Sequence, residues 1–109
     1  MISKELLSLV LNKEVNYLSV DIKDNEIIYS QPWEYGFTHI NLDTLGRLCK
    51  EWVAKLTGAW LYTYIEYEDD ICKYFTTVEY ADEMWNELTE LEAIIKATKF
   101  VAEEQGLIK

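Results

Sequence analysis

Apolar residues recur along this 109-residue chain with two rhythms, one near 3.6 and one of 2. Leu6, Leu7, Val10 and Leu11 share a face at helical spacing. Ser3 ahead of them and Asn12 behind are suited to start and stop a short first helix. Over residues 15–22 the period becomes two: Leu18, Val20 and Ile22 point one way, and Tyr17, Ser19 and Asp21 the other. Lys23-Asp24-Asn25-Glu26 supplies turn chemistry, and residues 26–30 return as a second strand. Pro32 and Gly36 then bracket Trp33 and Tyr35 in a loop, before a third short strand over residues 37–40.

Asn41 caps the clearest helix, residues 42–56, which Gly58 ends. Leu45, Cys49, Trp52 and Leu56 form its expected buried stripe, widened by Leu48 and Val53, with Asp43, Arg47, Lys50, Glu51 and Lys55 on the wet side. Residues 59–67 read as a strand, Glu68-Asp69-Asp70 as a turn, and residues 72–80 as the returning strand. A last helix is expected over residues 82–105, with Met84, Leu88, Leu91, Ile95, Thr98 and Ala102 along one side and Gly106 closing it. Thr89-x-x-Glu92 fits a capping box at which that helix can break, leaving residues 82–88 as a separate turn. The order predicts an α+β fold, α-β-β-(β)-α-β-β-α, in a single compact domain over residues 1–109. Its antiparallel sheet would hold four to five strands in two hairpin units, with helices packed on one face.

Composition narrows the function classes. Half the residues are hydrophobic and 14% aromatic, which excludes a disordered acidic tail. Twenty acids against ten bases, a net charge of −10, argue against direct nucleic-acid binding, whose footprint is a basic patch. The excess is local. Residues 66–92 hold Glu66, Glu68, Asp69, Asp70, Glu79, Asp82, Glu83, Glu87, Glu90 and Glu92 against Lys73 alone, a net of −9. On a helix from residue 82, Glu83, Glu87 and Glu90 would follow i, i+4, i+7 and line one face. Such a patch is either a solvated face or a surface that steers the chain to a basic partner and covers it.

Trp60, Tyr62 and Tyr64 alternate along one face of the fourth strand, opposite Leu61, Thr63, Ile65 and Tyr67. Neither face is polar, so that strand is expected to be central or to meet another chain. Trp33 and Tyr35 are expected to be exposed in a contact loop.

Catalytic and metal signatures are not found in the sequence. His39 has no Cys or second His near it in sequence, and Glu66-x-Glu68-Asp69-Asp70 lacks the glycine and spaced ligands of a calcium loop. The reading is no catalytic residue, no metal, no cofactor and no enzyme. Cys49 and Cys72 are expected as buried free thiols. Met1-Ile2-Ser3-Lys4-Glu5 does not resemble a secretory signal, and no apolar run of about 18 residues suggests a membrane span.

Three segments, Met1-Ile2-Ser3-Lys4-Glu5-Leu6-Leu7, Asn41-Leu42-x-x-Leu45-x-x-x-Cys49-Lys50-Glu51-Trp52-Val53 and Glu90-x-Glu92-Ala93-Ile94-Ile95-Lys96-Ala97, resemble a group of small uncharacterised proteins encoded by phages and prophages. Thr44 and Leu91 depart from that pattern, where the group tends to have Glu and Pro. The resemblance implies a phage origin and action in the host cytoplasm, and brings no site residues. Joined to the charge map, it gives a leading expectation. The chain would be a non-enzymatic inhibitor of a host nucleic-acid-targeting defence complex, of anti-CRISPR or anti-restriction type. It would occlude a basic nucleic-acid-binding surface of a host protein with its acidic patch. The alternatives are a phage accessory or structural module that forms a homodimer through the aromatic strand, and a small nucleotide-binding or hydrolytic protein using the Trp33–Tyr35 loop.

Overall fold

A computed structural model describes residues 1–78, 84–87 and 89–108. Along the chain run α1 (Lys4–Leu11), β1 (Tyr17–Asp21), β2 (Glu26–Ser30), β3 (Thr38–Asn41), α2 (Leu42–Thr57), β4 (Leu61–Glu68), β5 (Ile71–Val78), β6 (Met84–Glu87) and α3 (Glu90–Glu104). This is an α+β fold in the expected order. Each of the two hairpin units is the nucleus of its own antiparallel sheet, with strand orders β1-β2-β3 and β4-β5-β6.

The helix starts are set by side-chain caps. Ser3 accepts a hydrogen bond from the Leu6 N–H, Asn41 from Asp43 and Thr89 from Glu92, each occupying a donor that the first helical turn leaves free. Asn12 ends α1 at φ 53° and Gly58 ends α2 at φ 74°, both left-handed, so both stops lie where the sequence placed them.

The expected helix over residues 82–105 is corrected. Thr89 is extended, at φ −126° and ψ 148°, and α3 begins only at Glu90. Met84–Glu87 instead forms β6, registered from Thr77↔Met84 to Tyr74↔Glu87. An apolar residue at 84 fits either period, and the free edge of β5 offers that segment a ladder of backbone bonds. Residues 79–83 and 88 lie outside the described residues.

In α2 the buried line runs Leu45, Gly46, Cys49 and Val53, while Trp52 is half-buried and Leu56 exposed. The stripe is therefore rotated from the expected one, because α3 packs along the Gly46 side. A β-carbon at Gly46 would lie 3.5 Å from Leu91 Cδ1 and 3.7 Å from that of Ile94. One core joins Leu6 and Leu7 of α1, Ile27 and Tyr29 of β2, Leu45, Cys49 and Val53 of α2, Leu61 and Val78 of the second sheet, and Ile94, Ile95, Ala97, Val101 and Ala102 of α3. Helix α3 lies against the second sheet. The shape is elongated, 47 × 33 × 20 Å, with a radius of gyration of 14.4 Å. A compact domain of this length would have about 13 Å. Among the described residues no helix is long and apolar enough to cross a membrane.

Candidate binding surface

The β4–β5 hairpin is the longest ladder in the fold, eight residues a side, paired from Leu61↔Val78 to Glu68↔Ile71. Asp69 and Asp70 make its two-residue turn at φ 48° and 63°. A two-residue connection matched to strand twist needs positive φ at both positions, which Asp tolerates better than most residues. That turn fixes which face every side chain takes. On the face toward α3, Leu61, Thr76 and Val78 are buried, and the Thr63 and Thr76 hydroxyls lie 3.3 Å apart.

On the opposite face the same alternation sets Tyr62 and Tyr64, with Trp60 just before the strand. They are 52%, 39% and 56% exposed. Tyr64 stacks on Phe75 of β5, with ring centroids 5.4 Å apart and planes 10° from parallel. Toward the turn the cover on the first face also stops: Ile65 and Tyr67 are both substantially exposed, as is Ile71 on the aromatic face. The expectation of a central strand is therefore corrected, because β4 is an edge strand. Its sequence reads as central because neither face is plainly polar, and the chain's own fold buries only part of one of them.

The acids divide. Glu66, Asp69 and Asp70 are exposed at or near the hairpin end, with Glu68 between them in sequence and Lys73 paired across from Glu66. Glu87 ends β6, and Glu79, Asp82 and Glu83 lie outside the described residues. Glu90 starts α3 and sits 3.6 Å from Lys50 of α2. The helical face of Glu83, Glu87 and Glu90 does not form, because Glu87 belongs to a strand and Glu90 to the helix after it. The Tyr74 phenol is raised, chiefly by the neighbouring Cys72, with Glu90 and Tyr67 contributing.

Trp33 and Tyr35 are fully exposed, as the loop composition implied. Trp33 has φ 72°, and Phe37 at the loop's end packs edge-on against Tyr17, with centroids 5.4 Å apart. The structure does not bring this loop's aromatics into the α2–α3 cleft, a cavity of about 320 Å³ whose polar rim is Asp43, Arg47, Lys50 and Glu90.

One cluster escaped the sequence reading. Asp21, Asp24 and Glu26 each place a carboxylate oxygen within 4.8 Å of the others, and His39 Nδ1 lies 2.8 Å from Glu26 Oε1. The Asp24 N–H donates to Asp21 Oδ1 at 3.2 Å, which makes the group an Asx-type turn. The signal lay in Asp-x-x-Asp-x-Glu, but His39 joins only through the β2–β3 register, in which it pairs with Ile28. Asp24 is exposed and Asp21 and Glu26 are half-buried, and the charge on Asp21 raises the Asp24 carboxyl.

Both cysteines are free. Cys49 is buried as expected, and burial pushes its thiol up to about 12, opposite to what a nucleophile requires. Cys72 is only half-buried. No family model matches the chain, and no curated protein or solved structure is significantly similar to it.

Proposed function

We propose that the chain is a non-enzymatic binding protein whose working surface is the β4–β5 hairpin. The aromatic face seats on a protein partner, and the acids around the turn engage that partner's basic residues. The observation that carries this reading is the juxtaposition of Trp60, Tyr62 and Tyr64, all substantially exposed, with Glu66, Asp69 and Asp70 on one projecting hairpin. Aromatic area supplies contact energy with a polar handle, and a desolvating rim of charge selects the partner and speeds encounter. Acids facing outward suit a partner surface that ordinarily holds nucleic acid. Occupying it would exclude the nucleic acid. We extend this to an inhibitor of a host nucleic-acid-targeting defence complex, acting in the host cytoplasm, on the strength of the phage-protein resemblance.

The test uses Glu66→Lys with Asp69→Asn and Asp70→Asn, since Asn tolerates the positive φ of both turn positions. DNA cleavage by purified CRISPR effector complexes and restriction endonucleases is followed with added wild-type or variant chain. The expected result is inhibition by the wild type that weakens with salt and falls about tenfold or more in the variant. Equal inhibition by both, or none by the wild type, rejects the reading.

A further inference from the structure

We propose that two copies of the chain pair through their β4 strands, antiparallel, joining two three-stranded sheets into one continuous sheet. β4 is at an edge, is eight residues long, and runs in unbroken register with β5. Its sequence, Leu61-Tyr62-Thr63-Tyr64-Ile65-Glu66-Tyr67-Glu68, contains no Pro, Gly or Lys. Half of its backbone donors and acceptors point away from β5, among the described residues no strand pairs with that side, and its two charged residues, Glu66 and Glu68, lie within its last three positions. The other edges differ: β1 has five residues, and β3 and β6 four each.

Charge selects the orientation. Parallel pairing would set Glu66, Glu68, Asp69 and Asp70 of both copies side by side. Antiparallel pairing sends them to opposite ends. Because directly opposed residues share a face, the two-fold axis must pass through a residue for the open faces to coincide. Centred on Thr63, Tyr62 of each copy opposes Tyr64 of the other on the aromatic face, and Leu61 opposes Ile65 on the face toward α3. The two Glu66 residues then stand about 20 Å apart at 3.4 Å per residue, well beyond the screening length of about 8 Å. Leu61 of the second copy also gives Ile65, now 50% exposed, an apolar neighbour. The pairing uses the strand edge, whereas partner docking uses the face and the turn, so neither reading depends on the other.

Light scattering over concentrations up to millimolar tests the pairing, with an expected rise to twice the protomer mass. Tyr62→Pro and Thr63→Pro separate edge pairing from stacking of aromatic faces. Adjacent N–H groups point to opposite sides of a strand, so one of these variants removes an outward donor and spares the β5 ladder. That folded variant is expected to be monomeric. Tyr62→Lys with Tyr64→Lys, both on the open face, crowds four ammonium groups at the seam and is expected to weaken dimerisation about tenfold or more. A wild type that stays monomeric throughout overturns the proposal. So does a dimer of unchanged affinity in the lysine double variant, which decides the matter if neither proline variant folds.

Discussion

The two sheets share a plan, a hairpin with a third antiparallel strand, yet differ in what they do with their second face. In the first, Ile27 and Tyr29 enter the core while Asp21, Glu26, Ser30 and His39 take the other side by alternation, together with Tyr17 and Ile28. That face is mostly polar, as is ordinary for an antiparallel sheet with one wet side, and its Tyr17 ring packs edge-on against Phe37. The second sheet buries Leu61, Thr76 and Val78 in the same way, but its other side carries Trp60, Tyr62, Tyr64 and Phe75. Tyr64 stacks on Phe75 there, while Trp60 and Tyr62 keep more than half of their surface exposed. The second sheet thus exposes a row of aromatic rings where the first exposes mostly polar residues, and an exposed patch of that kind is a contact candidate.

The sharpest way to break this comparison is one substitution in each sheet. Ile27, with no exposed surface, is expected to cost about 2–5 kcal/mol as Ile27→Ala. Tyr62→Thr keeps strand propensity on an exposed face and is expected to cost no more than about 0.5 kcal/mol. Urea unfolding at low protein concentration measures both. Inhibition of the nuclease should follow the reverse order, lost with Tyr62→Thr and retained by whatever Ile27→Ala remains folded. Similar stability losses at the two sites would mean that the aromatic face is structural.

A smaller effect is expected at the cap of the helix that covers the second sheet. Thr89→Ala removes the acceptor of the Glu92 N–H and is expected to cost about 1 kcal/mol, with Thr89→Asp restoring it through the same bond and the helix dipole. Hydrogen exchange should show the loss concentrated in α3 and β5 rather than in β1–β3. Uniform loss of protection would mean that the two sheets do not open separately.

How much of this was legible follows from which interactions are local. Caps at Ser3, Asn41 and Thr89, the stop at Gly58 and the turn at Asp69-Asp70 depend on residues within three or four positions, and the sequence displays them. The β6 strand depends on the edge of β5, a partner that local periodicity cannot see, so helical spacing alone puts Met84 on the α3 stripe. The same limit hid His39, placed beside Glu26 by register, and the edge position of β4. Neither face of β4 is plainly polar in sequence, and no pattern says which face the fold leaves open. For the acidic residues, the segment was visible but its geometry was not: Glu66, Asp69 and Asp70 gather near one turn, whereas Glu90 is drawn off by Lys50 of α2.

The polar face of the first sheet allows the finest test, because its acids lie outside the proposed contact. Asp24 is raised above its usual value chiefly by the charge of Asp21. A carboxyl raised in the folded state makes folding more favourable when it is protonated. That contribution is present below the unfolded value and is lost as pH rises through the folded one. Asp24→Asn, whose amide can still donate to Asp21, should therefore raise the melting temperature slightly near neutral pH. The gain should vanish below about pH 3, where the unfolded carboxyl is also protonated, and shrink with salt. It should leave nuclease inhibition unchanged. A lower melting temperature at neutral pH would mean that the Asp24 carboxylate is needed in its charged form, and lost inhibition would move the contact surface to the first sheet.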